Sequence, residues 1–413
     1  MVHKPRLVLR VLLPLLAFVA APASAVFIRD EMDVVEAEPL FDSEYFLDLL
    51  AFAPPLEWDW EWELALSSRP AAAYRVNGAS LDCCELLLDQ HASARRRLTD
   101  WLDFRYDLEQ RDDKDLQELH QWLRFEAGPW RGVSLGAFGE PTFAKQDADI
   151  GWLLRYRPLA GLSVYGSRNA VDWNLNSRGT TGERYERRPY TYEAGLEAWT
   201  PAGRLRPRVE VDAPLIRFDP ALGRRYHYRR TTAALVWDLP PSSPGRPGFR
   251  LRYRHEHKDE GLRLEPDPAR SSLDAARRLH EARAAALLPA GPRATLEAGA
   301  GALWRSARSA APGASAPGAR FLRWEFQPYA RWRNRLSART VGEVATFLSA
   351  GELREERLGA PARWARLVEA KLGLGLDFLF AGPSRIGLYT NWDLDDAARH
   401  VWDGGNVRAQ LLF

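Results

Sequence analysis

From residue 98 to the end of the chain, apolar and polar residues alternate with a period of two, in runs separated by turn-forming residues. Leu98, Leu102, Phe104 and Tyr106 fall on one side, with Arg97, Thr99, Asp103 and Arg105 on the other. Phe249, Leu251 and Tyr253 alternate with Arg250, Arg252 and Arg254. Leu322, Trp324, Phe326, Ala330 and Trp332 alternate with Arg323, Glu325, Gln327, Arg331 and Arg333. Val368, Ala370, Leu372, Leu374, Leu376 and Phe378 alternate with Glu369, Lys371, Gly373, Gly375 and Asp377. A helix puts residues i and i+2 on nearly opposite sides and would scramble each set. A strand sends successive side chains to opposite faces and keeps the sets intact. The pattern predicts a series of β-strands.

The links between these strands alternate in length. Long polar links lie around 109–118, 139–146, 175–188, 219–224, 258–277, 306–320, 351–363 and 394–404, with short ones around 128–131, 158–161, 201–203, 240–247, 289–292, 334–335 and 381–384. A soluble sandwich has no reason to sort its connections by parity. A transmembrane antiparallel up-and-down β-barrel does, because short periplasmic turns lie at one end and longer external loops at the other. The expected fold is therefore an all-β barrel spanning 98–413 with about sixteen strands, an even number that puts both barrel ends on the periplasmic side. Pro207, Pro214 and Pro328 fall inside expected strands and predict strand ends or bulges, because proline cannot donate to the ladder.

The segment ahead of the barrel differs. Residues 1–25 carry Lys4, Arg6 and Arg10, then an apolar run, then Ala23, Ser24 and Ala25. That is the layout of a secretory signal peptide, with a mature chain expected from Val26. Residues 26–97 then form a periplasmic or lumen-plugging extension, short and mostly helical: one helix is expected within 41–52, another over 80–98 with Ser80 as N-cap. Between them, Leu56, Trp58, Trp60, Trp62, Leu64 and Leu66 alternate with Glu57, Asp59, Glu61 and Glu63, which reads as a further strand. Paired with 72–76, that strand would raise the count to eighteen. No later stretch is long and apolar enough for a transmembrane helix.

At the C-terminus, Val407, Ala409, Leu411 and Phe413 alternate with Arg408 and Gln410, and the last residue is aromatic. This ending resembles Gram-negative outer-membrane β-barrel proteins of the porin and exporter type. The resemblance covers about three-quarters of the chain and singles out no specific family. It implies location in the cell outer membrane, contact with its lipid and lipopolysaccharide, and recognition of Phe413 by the barrel-assembly machinery. A periplasmic partner would act through the N-terminal extension.

Composition narrows the function. Basic and acidic residues are nearly balanced, 57 against 55, which leaves no footprint for nucleic acid. Sixteen tryptophans, many at expected strand ends, suit interfacial girdles. The other faces are rich in arginine, a density suited to a watered lumen rather than a dry core, where each ion needs a partner. Rings of arginine favour anions. Arg250, Arg252, Arg254, Arg323, Arg331, Arg333, Arg105 and Arg124 are the candidate lumen and selectivity residues. The expected function is a channel for polar, anionic solutes. The alternatives are an exporter of an acidic polysaccharide, a non-conducting structural barrel, and a lipid-acting enzyme. No catalytic motif, cofactor or metal site is expected: His255 and His257 share a face without a third ligand nearby, and Cys83 and Cys84 are adjacent, so they staple nothing distant.

Overall fold

The computed structural model describes residues 50–51, 53–67, 71–81, 85–112, 117–140, 148–172, 182, 184–241, 246–264, 273–310, 318–380, 382–395 and 402–413. The expected signal peptide, nearly all of the first expected helix, and Cys83 and Cys84 lie outside them. Among the described residues, the helix α1 (Leu56–Ser67) precedes the sheet. The strands are β1 (Ala71–Leu81), β2 (Glu85–Thr99), β3 (Leu102–Asp112), β4 (Gln117–Trp130), β5 (Val133–Gly139), β6 (Ile150–Leu159), β7 (Leu162–Ala170), β8 (Arg184–Arg187), β9 (Tyr190–Thr200) and β10 (Gly203–Asp219). They continue as β11 (Arg224–Leu239), β12 (Gly248–Leu264), β13 (Leu273–Pro289), β14 (Ala294–Ala310), β15 (Ala319–Arg335), β16 (Thr340–Arg357), β17 (Arg363–Leu379), β18 (Arg385–Asp393) and β19 (Trp402–Leu412).

All pairings are antiparallel and follow chain order. β1 pairs with β2 on one side and β19 on the other, so the sheet closes. β8 and β9 are two pieces of one wall strand, broken at Arg188 and Pro189, and both pair with β10. The nineteen pieces therefore make an eighteen-stranded barrel. At the end that holds Ala71 and Phe413, turns as short as residues 131–132 and 160–161 join the strands, with Gly132 and Gly161 at positive φ. Links such as 171–183 lie at the opposite, external end.

Eighteen strands replace the favoured count of sixteen, and they arise differently from the eighteen considered. Residues 80–98, expected as a helix, are mostly β2, and the wall begins at Ala71 rather than Leu98. β2 is paired with β1 over Glu85–Arg95 and with β3 from Leu88 to Thr99, which overrides local helix propensity. The run from Leu98 to Tyr106 is not one strand: a turn at Asp100 and Trp101 divides it, and Thr99 pairs with Leu102. Residues 56–67, expected as a strand, form α1. Pro214 sits at a register shift between β10 and β11, as a proline inside a ladder predicts, and the β15–β16 ladder is interrupted at Pro328.

The predicted faces are otherwise the observed ones. On β15, Trp324, Phe326 and Trp332 point outward and are exposed, while Arg323, Glu325, Gln327, Arg331 and Arg333 point inward and are buried. Trp152 is 66% exposed and Val368 65%, against 1% for Arg331 and 0% for Asp377. In water this distribution would be inverted. Hydrocarbon on the outside requires it, because a closed sheet satisfies every backbone group and alternate side chains meet lipid. No helix among the described residues is long and apolar enough to cross a membrane; the strands cross it instead. The protein is an outer-membrane β-barrel.

Phe413 completes the closing seam: its N–H donates to the Ala72 carbonyl at 2.8 Å, and its carbonyl accepts from Ala72 N–H at 3.4 Å. Deleting Phe413 should reduce the fraction of chain that reaches the compact barrel. Gel mobility without heating measures that fraction; unchanged folded yield would show that the seam does not need this residue.

Candidate functional site

The lumen at the short-turn end is occupied by the chain itself. Pro54 and Pro55 precede α1, and proline suits the first turn of a helix, where its missing N–H leaves no gap. Glu57 and Asp59 in the first turn oppose the positive end of the helix dipole. Trp58, Trp60 and Trp62 are all buried, although they cannot share one helix face. A helix with wall on most of its sides buries residues around its circumference, so it shows no amphipathic stripe. Its alternating sequence therefore reads locally like a strand.

Each carboxylate of α1 meets arginine from the wall. Glu57 pairs with Arg333 on β15. Asp59 lies 3.3 Å from Arg75 on β1, and 2.8 and 3.2 Å from Arg250 and Arg252 on β12. Glu61 pairs with Arg385 on β18. Glu63 lies 2.8 and 3.0 Å from Arg204 and Arg206 on β10, and 3.6 Å from Arg250. Just ahead of α1, Arg331 donates to the carbonyls of Leu50 and Ala53 at 2.9 and 2.8 Å, and Arg408 donates to that of Ala51 at 2.7 Å. The Leu56 N–H donates to Glu297 at 2.9 Å.

Among the described residues, nine wall arginines thus hold this segment. Their wall partners are five acids: Glu197, Asp238, Glu297, Glu343 and Asp377. The four carboxylates of α1 bring the acids to nine, so among the described residues the cations and anions of the seat match in number. Apolar contacts add shape. Leu50 and Ala51 pack on Ala345, Phe347 and Tyr329, while Leu56 and Trp60 pack on Leu287. The Arg385 guanidinium stacks on Trp58 at 4.9 Å, and Arg75 lies 5.6 Å from the Trp62 ring centre. Gly248 leaves room for Trp60: a Cβ there would stand 2.2 Å from the ring.

The eight candidate arginines divide by this geometry. Arg250, Arg252, Arg331 and Arg333 all touch the N-terminal segment. Arg323 is buried against Glu325. Arg254, Arg105 and Arg124 lie farther from α1, paired with Glu256, Asp107 and Glu126. Side chains of Arg254 and Arg105 are nearly half exposed, so the lumen beyond α1 is open beside β3 and β12. The residues missing from the sequence-based candidates are Glu57, Asp59, Glu61 and Glu63, with Arg75, Arg204, Arg206, Arg385 and Arg408. The available signal was the match between one short acidic segment and an arginine-rich wall. His255 and His257 face outward on β12, and no metal-binding group occurs among the described residues.

At the external rim, the Asp149 carboxylate accepts from Asn169 Nδ2 at 2.7 Å and from the Asp172 N–H at 3.0 Å, and Tyr185 donates to Asp172 at 2.6 Å. Burial pushes the Asp149 carboxyl up to about 7, beyond what these donors offset, with Asp172 and Glu140 adding repulsion. A raised acid binds its proton more tightly in the folded state. The folded rim is therefore at its full stability below the ordinary value of 3.8 and loses part of it as pH rises through about 7. Exchange of the Asp172 amide, corrected for intrinsic rate, should be faster at pH 8 than at pH 5. Asp149→Asn should remove that difference; a difference of equal size in the variant would exclude Asp149 as its source.

No protein-family model matches the chain, and no curated protein does. Among solved structures, it resembles Pseudomonas aeruginosa OccK5 (OpdH) at 11% identity, over 83% of this chain and 97% of that one, with TM-score 0.40. P. aeruginosa OpdQ is 10% identical over 84% and 99%, with TM-score 0.41. OmpT, an outer membrane protein of Vibrio cholerae, is 8% identical over 83% and 96%, with TM-score 0.36. Likeness at this level carries no information about function.

Proposed function

We propose that this outer-membrane channel passes polar, anionic solutes and is kept shut by its own N-terminal segment. The observation that carries this reading is the charge match between α1 and its seat. The arginines that hold Glu57, Asp59, Glu61 and Glu63 are those an anionic solute would use on its way through. Plug and solute thus compete for one set of cations. A solute bearing several carboxylates or sulfates could replace the contacts of α1 one at a time, so opening would not leave bare buried charge at any step. An acidic polysaccharide, in either direction of transport, belongs to this class. A periplasmic partner acting on the chain ahead of Leu50 would lower the barrier to unseating.

The experiment is a reversal-potential measurement in planar bilayers under a potassium chloride gradient. A variant with Glu57→Gln, Asp59→Asn, Glu61→Gln and Glu63→Gln loses the plug's charge and leaves the arginines in place. It should conduct with a preference for chloride over potassium. Cation preference in that variant would overturn the anionic reading. Absence of any current in both this variant and one lacking the helix would favour a structural barrel.

A further inference from the structure

Outside the barrel, above the lipid-facing band, β13, β14 and β15 carry three arginines that the channel reading does not use. Arg308 on β14 and Arg320 on β15 are directly opposite in the register, and both side chains point outward and are exposed. Arg278 on β13 is their diagonal neighbour: it pairs with Ser306, while Arg308 pairs with Ala276. None of the three makes a hydrogen bond or ion pair among the described residues. The nearest acid in register, Glu356 opposite Arg320, is engaged by Arg354. Like charges placed directly opposite on a sheet repel and destabilise it. A solvated surface gains nothing from that arrangement, and an anion lying between them would reverse its sign.

The position names the anion. Trp304 and Trp324 are opposite one another on the same outward faces, four residues nearer the membrane centre, and both are exposed. Outward tryptophans mark the interface between hydrocarbon and headgroups. Four residues of strand are about 13 Å, and roughly 10 Å in height for a strand tilted by about 40°. The arginines therefore sit where the headgroups of the outer leaflet begin. His280 supports the base of the site: its ring meets Trp304 edge-on at 5.1 Å and lies tilted against His255 at 4.4 Å, and the Tyr253 hydroxyl lies 3.0 Å from its Nδ1.

We infer that Arg278, Arg308 and Arg320 form a binding site for the phosphorylated headgroup of an outer-leaflet glycolipid, the lipid A part of lipopolysaccharide. Its acyl chains would lie along Trp304, Trp324 and the alanines of β13 and β14, and a phosphate would bridge Arg308 and Arg320. Guanidinium binds phosphate through paired hydrogen bonds, which makes arginine the apt residue.

The test uses the full chain in detergent, with bound lipid counted by native mass spectrometry. Three probes are compared: bisphosphorylated lipid A, the same lipid after phosphate removal, and inorganic phosphate. The intact protein should retain the bisphosphorylated lipid, lose the dephosphorylated one, and be indifferent to millimolar inorganic phosphate. R308Q/R320Q should weaken lipid binding at least about tenfold, and Arg278→Gln should weaken it less. R308Q/R320Q removes a repulsive pair, so its barrel should be no less heat-resistant than the parent. Equal lipid retention by parent and R308Q/R320Q would overturn the inference, as would displacement of the lipid by inorganic phosphate.

Discussion

A chain from which residues 50–67 have been deleted should conduct ions at least about threefold better than the intact chain, because the excised helix is about 10–12 Å across and the eighteen-stranded wall is wide enough for an aqueous channel without it. Two changes accompany the deletion. The short-turn mouth loses its obstruction, and the four carboxylates of α1 leave with it, so the pore becomes more positive. Current should rise in steps of larger unit size rather than in more frequent openings, which single-channel recording distinguishes. A steric variant separates shape from charge. Gly248→Leu drives a side chain into the Trp60 ring while leaving every ion pair intact, and it should raise conductance in part. If the deletion and Gly248→Leu both conduct like the parent, residues 50–67 do not block the pore.

Removing Arg333 should be the most damaging single change to stability. Its guanidinium lies 2.7 Å from Asp377 and 3.5 Å from Glu343, both buried, and it pairs with Glu57. Arg333→Met keeps most of the volume, takes from Asp377 its paired cation and leaves Glu343 with Arg331 at 3.9 Å, a loss of roughly 3–5 kcal/mol. Asp377→Asn in the same chain should restore part of it, since Asn can still accept from Tyr389. Glu57→Gln alone should cost much less: the Glu57 side chain is 38% exposed, where an ion pair contributes little. Urea unfolding of the barrel in lipid vesicles gives the three values. A loss for Glu57→Gln as large as that for Arg333→Met would mean that the plug, and not the wall network, holds this region together.

The strand repeat, the closed membrane-spanning architecture, and which residues face lipid and which face the lumen were all legible along the chain. Side-chain direction in a strand depends only on parity, and a bilayer outside with water inside makes that parity visible at every second residue. What became of the first strands and of the acidic segment was decided in three dimensions. Residues 85–99 have the composition of a helix but are held as β2 by ladders to β1 and β3. Residues 56–67 alternate like a strand, yet they have no neighbouring strand to pair with and must satisfy their backbone internally, which a helix does. The arginines announced a charged lumen; that three of the candidates grip carboxylates of α1, and Arg331 the carbonyls just ahead of it, follows from partners up to some 280 residues apart. Periodicity records the environment of each residue singly, whereas an ion pair across a lumen exists only after the wall has closed around it.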